Sequence, residues 1–341
     1  MSYARPLLAW PIALRLGLLA AITTIAVIAA IRLGAVSLST SEVIDALLGR
    51  GDRSTITIVR ELRLPRALQA ALVGAALGVS GTAFQALLRN PLAEPYTLGV
   101  SSGAAAGAVL TVVTGWSARS AWSLPIAAFA GAAISMMLVF QIAYSVGDDR
   151  RLDTRILLLA GVVVSAFLVA LVWLALTFAT SDTIRSAIFW MMGSHSGASW
   201  RSVAILLACV APSFIVLLTL ARPLNLLSIG EPTAAYLGTS VERTKLVAFG
   251  VATLMTATAV AVSGTIGFVG LIVPHTIRLL WGSDHRALLP CAALGGAAFL
   301  SATDTFARTI AGANELPIGI VTALIGVPCF VFLLRQPAVS R

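Results

Sequence analysis

Long apolar stretches alternate with short polar connections along almost the whole chain. About 20 mostly apolar residues are needed for a helix to cross the hydrocarbon core of a bilayer. The pattern therefore predicts an all-α membrane protein with about ten membrane-spanning helices, and an even number places both termini on one side. The ten stretches lie near 7–31, 64–86, 99–115, 121–145, 155–179, 201–221, 244–265, 268–280, 287–311 and 317–335.

Two of these stretches need a special interpretation. The eighth is short and contains Pro274. Freed backbone groups are tolerated at membrane depth only where protein surrounds them, so we expect this segment inside the bundle. The first, which is bounded by Arg32, is longer than the apolar part of a signal peptide and is interpreted as a retained span.

The connection after the first stretch predicts a short surface helix near 39–49. Ser39 and Glu42 have the spacing of a capping box, and Gly49 provides a stop. A second surface helix is predicted in GEPTAAYLG, within the connection near 224–240. There Pro232 follows a helix start and Gly238 follows its end.

Composition supports a membrane protein without a separate soluble domain. Hydrophobic residues make up 58% of the chain, charged residues 11%, and the mean hydropathy is +0.96. We therefore expect a single transmembrane domain over 1–341. The net charge of +9 is spread over short loops, which is typical of membrane-flanking residues and does not indicate nucleic-acid binding.

The distribution of basic residues gives only a weak topology signal. With both termini inside, 13 Lys and Arg residues lie inside and 10 lie outside. The outer residues are concentrated around one loop, which suggests that it docks an acidic partner. This group comprises Arg32, Arg50, Arg53, Arg60, Arg63 and Arg66.

A weak internal repeat is also visible. The string VSGT occurs at 79–82 and at 262–265, and each copy is followed nine residues later by a proline. The two copies run in opposite directions in the predicted topology, which is the inverted-repeat arrangement of many transporters.

The chain lacks an obvious source of energy for transport. No glycine-rich phosphate loop is present, because Lys245, the single lysine, stands in VERTKL. Several spans contain no Asp, Glu, Lys or Arg apart from Arg66 at a boundary, which favours an external energy source over proton coupling. The main exception is Asp304 and Arg308, which are four residues apart and could form an ion pair or seal a helix end.

Enzymatic alternatives are weakly supported. GVSG at 78–81 and GVSS at 99–102, together with His275, leave an intramembrane serine protease as a distant alternative. The three cysteines lie in apolar stretches without C-x-x-C spacing, so no metal site is expected.

Four long strings resemble the FecCD/BtuC-type permeases of ABC importers over about residues 55–335. They are RLPRALQAALVGAALGVSGTAFQALLRNPLAEPYTLGVSSGAAAGAV, GEPTAAYLGTSVERTK, VSGTIGFVGLIVPHTIRLLWGSDHRALLP and NELPIGIVTALIGVPCF. The resemblance implies a type II importer permease fold in a bacterial inner membrane, with cytoplasmic termini.

The resemblance also implies partners. They are a second copy of the chain or a paralogue, two cytoplasmic ATPase subunits that use ATP and Mg²⁺, and a periplasmic binding protein. The chain itself would then bind no cofactor and would not be an enzyme.

Site residues follow from the same resemblance. Docking of the binding protein is expected at Arg63, Arg66 and Arg308, and coupling to the ATPase at Glu231, Pro232 and Gly238. The cytoplasmic gate is expected at Asn90, Leu92 and Thr154, although Arg155 departs from the small polar residue of relatives.

The cargo implied by the resemblance is an iron chelate, with a ferric siderophore first and heme or cobalamin as alternatives. A further departure is His195 in WMMGSHSGASW, where relatives more often carry an apolar residue. It is a candidate for cargo contact, against the simpler interpretation of a solvated loop residue.

Overall fold

The computed structural model describes residues 10–34, 36–146, 153–310 and 315–335. Arg5, Arg150, Arg151 and Arg341, which entered the topology count, lie outside these ranges. Within these ranges the chain forms helices joined by short turns and contains no β-strand. The helices are α1 (Ile12–Arg32), α2 (Thr40–Leu47), α3 (Arg53–Thr57), α4 (Leu64–Leu87), α5 (Val100–Val113), α6 (Ser123–Val146), α7 (Thr154–Thr177), α8 (Ser181–Met191), α9 (Trp200–Thr219), α10 (Ala221–Ile229), α11 (Glu231–Tyr236), α12 (Val241–Ser263), α13 (Val269–Trp281), α14 (His285–Ile310) and α15 (Ile318–Arg335).

The apolar helices match the ten predicted stretches one by one. By length and composition, seven helices in the described part of the chain are able to cross a membrane. One of them combines α3, a π-helical turn (Ile58–Arg63) and α4 into a single rod. Shorter apolar helices account for the other three stretches, in α5, α13 and α15.

Helix α4 lies at the centre of the bundle and packs against α12, α13 and α14. Its glycines allow close approach to α14. A Cβ atom at Gly74 would lie 2.1 Å from the carbonyl oxygen of Gly296, and one at Gly78 would lie 2.4 Å from that of Ala292. Side chains at these positions would push the helices apart, so the small residues set the packing distance.

The short eighth stretch is α13, and most of it is buried, including Pro274. This confirms its predicted place inside the bundle. The surface helix α2 also has its predicted cap. The Ser39 N–H donates to Oε2 of Glu42 at 2.7 Å, the Glu42 N–H donates to Oγ of Ser39 at 3.2 Å, and Gly49 adopts a φ of 80°.

Two features differ from the sequence interpretation. Helix α8 falls in a connection for which no helix was predicted, and it begins after a Thr180 cap. The two VSGT strings also have different local structures. The first lies within α4, whereas the second ends α12 at Ser263 and continues into Gly264 with a φ of 69°.

Candidate functional site

The predicted coupling segment forms a short exposed helix at one end of the bundle, here named the α11 end. Pro232 lies in the first turn of α11, where its missing N–H is not needed. Gly238 ends the helix with a φ of 80°, a conformation that favours glycine. Tyr236 and Leu237 are 91% and 62% exposed, so the helix presents an apolar tip to its surroundings.

Glu231, the first residue of α11, joins the helix to its neighbours. Its Oε2 lies 2.6 Å from Nζ of Lys245 on α12, and its Oε1 lies 3.5 Å from Nη2 of Arg89. The sequence placed Glu231 in the coupling segment but assigned no role to Arg89 or Lys245. Pairs between residues so distant in the chain leave no local pattern.

The predicted gate residues lie close to this ion-pair cluster. Arg89 follows the end of α4 with a φ of 47°. The chain then enters residues 90–92, which contain the predicted gate residues Asn90 and Leu92 and are here named the gate segment. The carboxamide oxygen of Asn90 accepts a hydrogen bond from the Leu92 N–H at 2.9 Å, which closes a tight turn. Leu92 is 39% exposed.

The structure also brings Thr154 to this end of the bundle. Thr154 begins α7 after Asp153, whose carboxylate accepts a hydrogen bond from the Arg155 N–H at 2.7 Å. A cleft of about 1210 Å³ is lined by Thr154 together with Arg89 and Glu231. The predicted coupling and gate residues therefore share one region.

At the opposite end, here named the α2 end, Arg63 is buried and used within the protein. Its guanidinium donates to the carbonyl oxygens of Ile31 at 3.1 Å, Arg32 at 2.7 Å and Val36. The contacts with Ile31 and Arg32 satisfy carbonyl groups at the end of α1, where a helix has no internal donors left. Arg63 therefore does not present the exposed basic surface that its docking assignment implied.

Arg66 and Arg308 meet at Asp304. Nη2 of Arg66 lies 2.9 Å from Oδ1 of Asp304, and Nε of Arg308 lies 3.6 Å from Oδ2. The second contact confirms the ion pair expected from the spacing on α14. Arg308 also donates to the carbonyl oxygen of Ala30, and its side chain is only 7% exposed. Arg66 contacts Glu315 at 2.8 Å, and its side chain is 13% exposed.

His195 is completely buried, which differs from both interpretations of the sequence. Its Nδ1 accepts a hydrogen bond from Nε2 of Gln69 at 3.1 Å, and Oγ of Ser202 donates to the carboxamide oxygen of Gln69. Burial lowers the pKa of His195 to about 4. In this conformation the imidazole has no exposed surface with which to contact a cargo.

A cavity of about 840 Å³ lies against α15 and next to the gate segment. Its wall is mainly apolar and includes Met191, Met192 and Phe268, and Glu94 adds a carboxylate to the lining. The Phe268 N–H, at the start of α13, donates to Oε1 of Glu94. Glu94 therefore fixes the beginning of α13 beside the cavity.

Comparison with known proteins identifies this arrangement of helices. The model of the FecCD transport family matches residues 22–336. The chain belongs to the FecCD transport family. Proteins of this family are permease subunits of ABC transporters, and ATP hydrolysis belongs to a separate subunit.

Individual relatives agree with the family assignment. The chain is 47% identical over 279 residues to the cobalamin import system permease protein BtuC of Halobacterium salinarum, covering 82% of this chain and 73% of that protein. It is 44% identical over 292 residues to the uncharacterized ABC transporter permease protein YvrB of Bacillus subtilis, covering 85% and 82%.

The fold of this FecCD-family permease is similar to that of a solved ABC transporter. A structure described as an inward-facing conformation of a candidate metal-chelate type ABC transporter matches with a TM-score of 0.83 at 34% identity. The match covers 94% of this chain and 99% of the other.

Membership of the family also replaces the protease alternative with a transport function. Ser80, in the first serine string, donates its hydroxyl proton to the Leu77 carbonyl oxygen at 3.2 Å.

Proposed function

We propose that two copies of this permease, with two ATPase subunits and a periplasmic binding protein, import a bulky metal chelate across the inner membrane. The observation that carries this proposal is the cavity of about 840 Å³ beside α15, whose wall is mainly apolar. Such a wall offers few directed polar groups to a cargo. Selection would therefore rest mainly with the binding protein, and the permease would provide a passage.

Two cargo classes have separate support. A ferric siderophore is the first candidate because of the resemblance to iron-chelate permeases. A corrinoid is the second candidate, and it is favoured by the relative that is named a cobalamin import permease. Both are metal chelates, which also agrees with the description of the similar solved structure.

The proposed orientation places the α2 end on the periplasmic side and the α11 end in the cytoplasm. Docking of the binding protein at Arg63, Arg66 and Arg308 remains a proposal, but burial changes its form. Of these three arginine side chains, Arg66 is the most accessible. Its guanidinium is paired with an exposed carboxylate, that of Glu315. The exposed Arg50 and Arg53 then provide the surrounding positive surface.

Uptake measurements in cells test the cargo assignment. A strain that lacks the gene for this chain would be given a radiolabelled ferric siderophore or radiolabelled cobalamin, with and without the restored gene. We expect restoration to recover ATP-dependent uptake of one of these chelates. Equal uptake of both labels with and without the gene would contradict the proposed cargo class.

A further inference from the structure

Arg89, Glu231 and Lys245 bring three segments of the chain to one point at the α11 end. Arg89 stands between α4 and the gate segment, Glu231 begins α11, and Lys245 lies near the start of α12. The two oxygens of the Glu231 carboxylate face different cations, Lys245 at 2.6 Å and Arg89 at 3.5 Å. One carboxylate therefore connects the exposed α11 both to a membrane helix and to the entrance of the gate segment.

The Lys245 side of this connection is the more rigid. The Lys245 side chain is only 7% exposed, and its Nζ also lies 3.4 Å from Oε1 of Glu242. A buried ammonium group requires such partners, because the loss of its hydration is costly. Lys245 therefore holds Glu231 in a fixed position relative to α12, and the beginnings of α11 and α12 can move as one body.

The Arg89 side has the features of a movable element. Its side chain is 44% exposed, and its backbone φ of 47° is unusual for a residue other than glycine. Such conformations persist where surrounding contacts maintain them. The next residue, Asn90, forms the turn that places Leu92 in the gate segment. A displacement of Arg89 would therefore change the direction in which the gate segment leaves α4.

We propose that Glu231, fixed by Lys245, transmits the movement of α11 to Arg89 and thereby to the gate segment at residues 90–92. Arg89 and Lys245 are then positioning residues for the gate. This inference rests on the proposed function and adds the physical link between the ATPase-facing helix and the gate. It predicts that the movement of the gate can be lost while ATP hydrolysis continues.

The test compares Arg89→Gln and Lys245→Met with Arg286→Gln, which removes the same charge from an exposed arginine at the same end of the bundle. Each variant would carry Leu92→Cys in a background without the native cysteines. The complete transporter would be reconstituted with its ATPase subunits. Cross-linking between the two copies at position 92 would be measured with and without trapped nucleotide, together with ATP hydrolysed per cargo molecule imported.

We expect the nucleotide-dependent change in cross-linking to fall by about fivefold or more in Arg89→Gln and Lys245→Met, a typical size for the coupling between two sites. The ATP consumed per cargo molecule should rise, Arg286→Gln should behave as the parent, and Arg89→Lys should recover part of the coupling. Parental cross-linking changes in both variants would overturn the inference. Loss of coupling that merely follows loss of bound ATPase subunits or of folded protein would overturn it as well. If the parent itself shows no nucleotide-dependent change, the proposed function fails first.

Discussion

Arg66 and Asp304 form a two-pronged ion pair that joins α4 to α14 at the α2 end. Nη2 of Arg66 lies 2.9 Å from Oδ1 of Asp304, and Nε lies 3.1 Å from Oδ2. The Asp304 side chain is completely buried, and Arg308 approaches the same carboxylate. The Asp304 carboxylate therefore balances the charges of two largely buried guanidinium groups, those of Arg66 and Arg308. Because Arg308 also contacts α1, this cluster joins α1, α4 and α14.

Asp304→Asn should destabilise the permease strongly. Removing one partner of a buried pair leaves charge without compensation, at a cost of about 3–5 kcal/mol. Glu315→Gln is the matched control, because the Glu315 side chain is 42% exposed and such pairs contribute about 0–1 kcal/mol. Thermal unfolding of the purified protein in detergent measures both. Equal midpoints for the two variants would show that the Asp304 pair does not stabilise this end of the bundle.

Glu315→Gln should also accelerate docking of an acidic binding protein. Glu315 occupies Nη1 of Arg66 at 2.8 Å, so neutralising it leaves that edge of the guanidinium available to a partner. Charge complementarity acts mainly on association rates, and salt weakens it. The on-rate should rise and its decrease with salt should become steeper. Glu61→Gln removes an equal charge from an exposed residue in the preceding helical segment, so an equal effect there would contradict a specific role for Arg66.

Triple charge reversal at Arg63, Arg66 and Arg308, where the sequence resemblance implies docking, is a poor test of docking. All three side chains are largely buried, and they bind backbone carbonyl groups or Asp304. Their reversal would disrupt the fold before any change in docking could be measured. A single substitution at the exposed Glu315 avoids this problem.

The apolar tip of α11 should bind the ATPase subunit. Leu237→Ala, at 62% exposure, should weaken association with the ATPase while leaving the unfolding midpoint unchanged, because the side chain packs little within the permease. Leu48→Ala, just after α2, is the matched control, at 61% exposure at the opposite end. Co-purification of the ATPase with each variant measures the effect. Equal retention of the ATPase by both would contradict the assignment of α11.

His195 should make the stability of the α2 end depend on pH. Burial holds its pKa at about 4, below the ordinary value of 6.5, so the folded state favours the neutral imidazole. Stability should therefore be fully present above pH 6.5 and should decrease as the pH falls towards 4. His195→Gln removes this contribution. The difference in unfolding midpoint between the parent and this variant should change over that interval, and a constant difference would contradict the prediction.

The sequence predicted the parts of the fold that local patterns determine. Apolar stretches gave the helices, and Ser39 with Glu42 gave the cap of α2, because these interactions join residues close in the chain. Burial of His195 and Arg63 could not be predicted in this way. Their surroundings come from distant segments, through Gln69 in one case and the end of α1 in the other.

The candidate site was predictable in part for the same reason. GEPTAAYLG carries its own helix signals, which located α11. The partners of Glu231 are Arg89 and Lys245, and their approach depends on how α4 and α12 pack. Helix α8 was not predicted because the first half of its sequence contains charged residues and few apolar ones. A search for membrane spans relies on long apolar stretches and therefore does not detect such a helix.

Reconstituted transport tests the central claim most directly. Vesicles would contain this permease and its ATPase subunits, with ATP inside and binding protein loaded with labelled metal chelate outside. We predict that the chelate accumulates inside only when ATP can be hydrolysed and the loaded binding protein is present. Accumulation that is the same with a non-hydrolysable nucleotide, or the same without the binding protein, would contradict an ATP-driven importer.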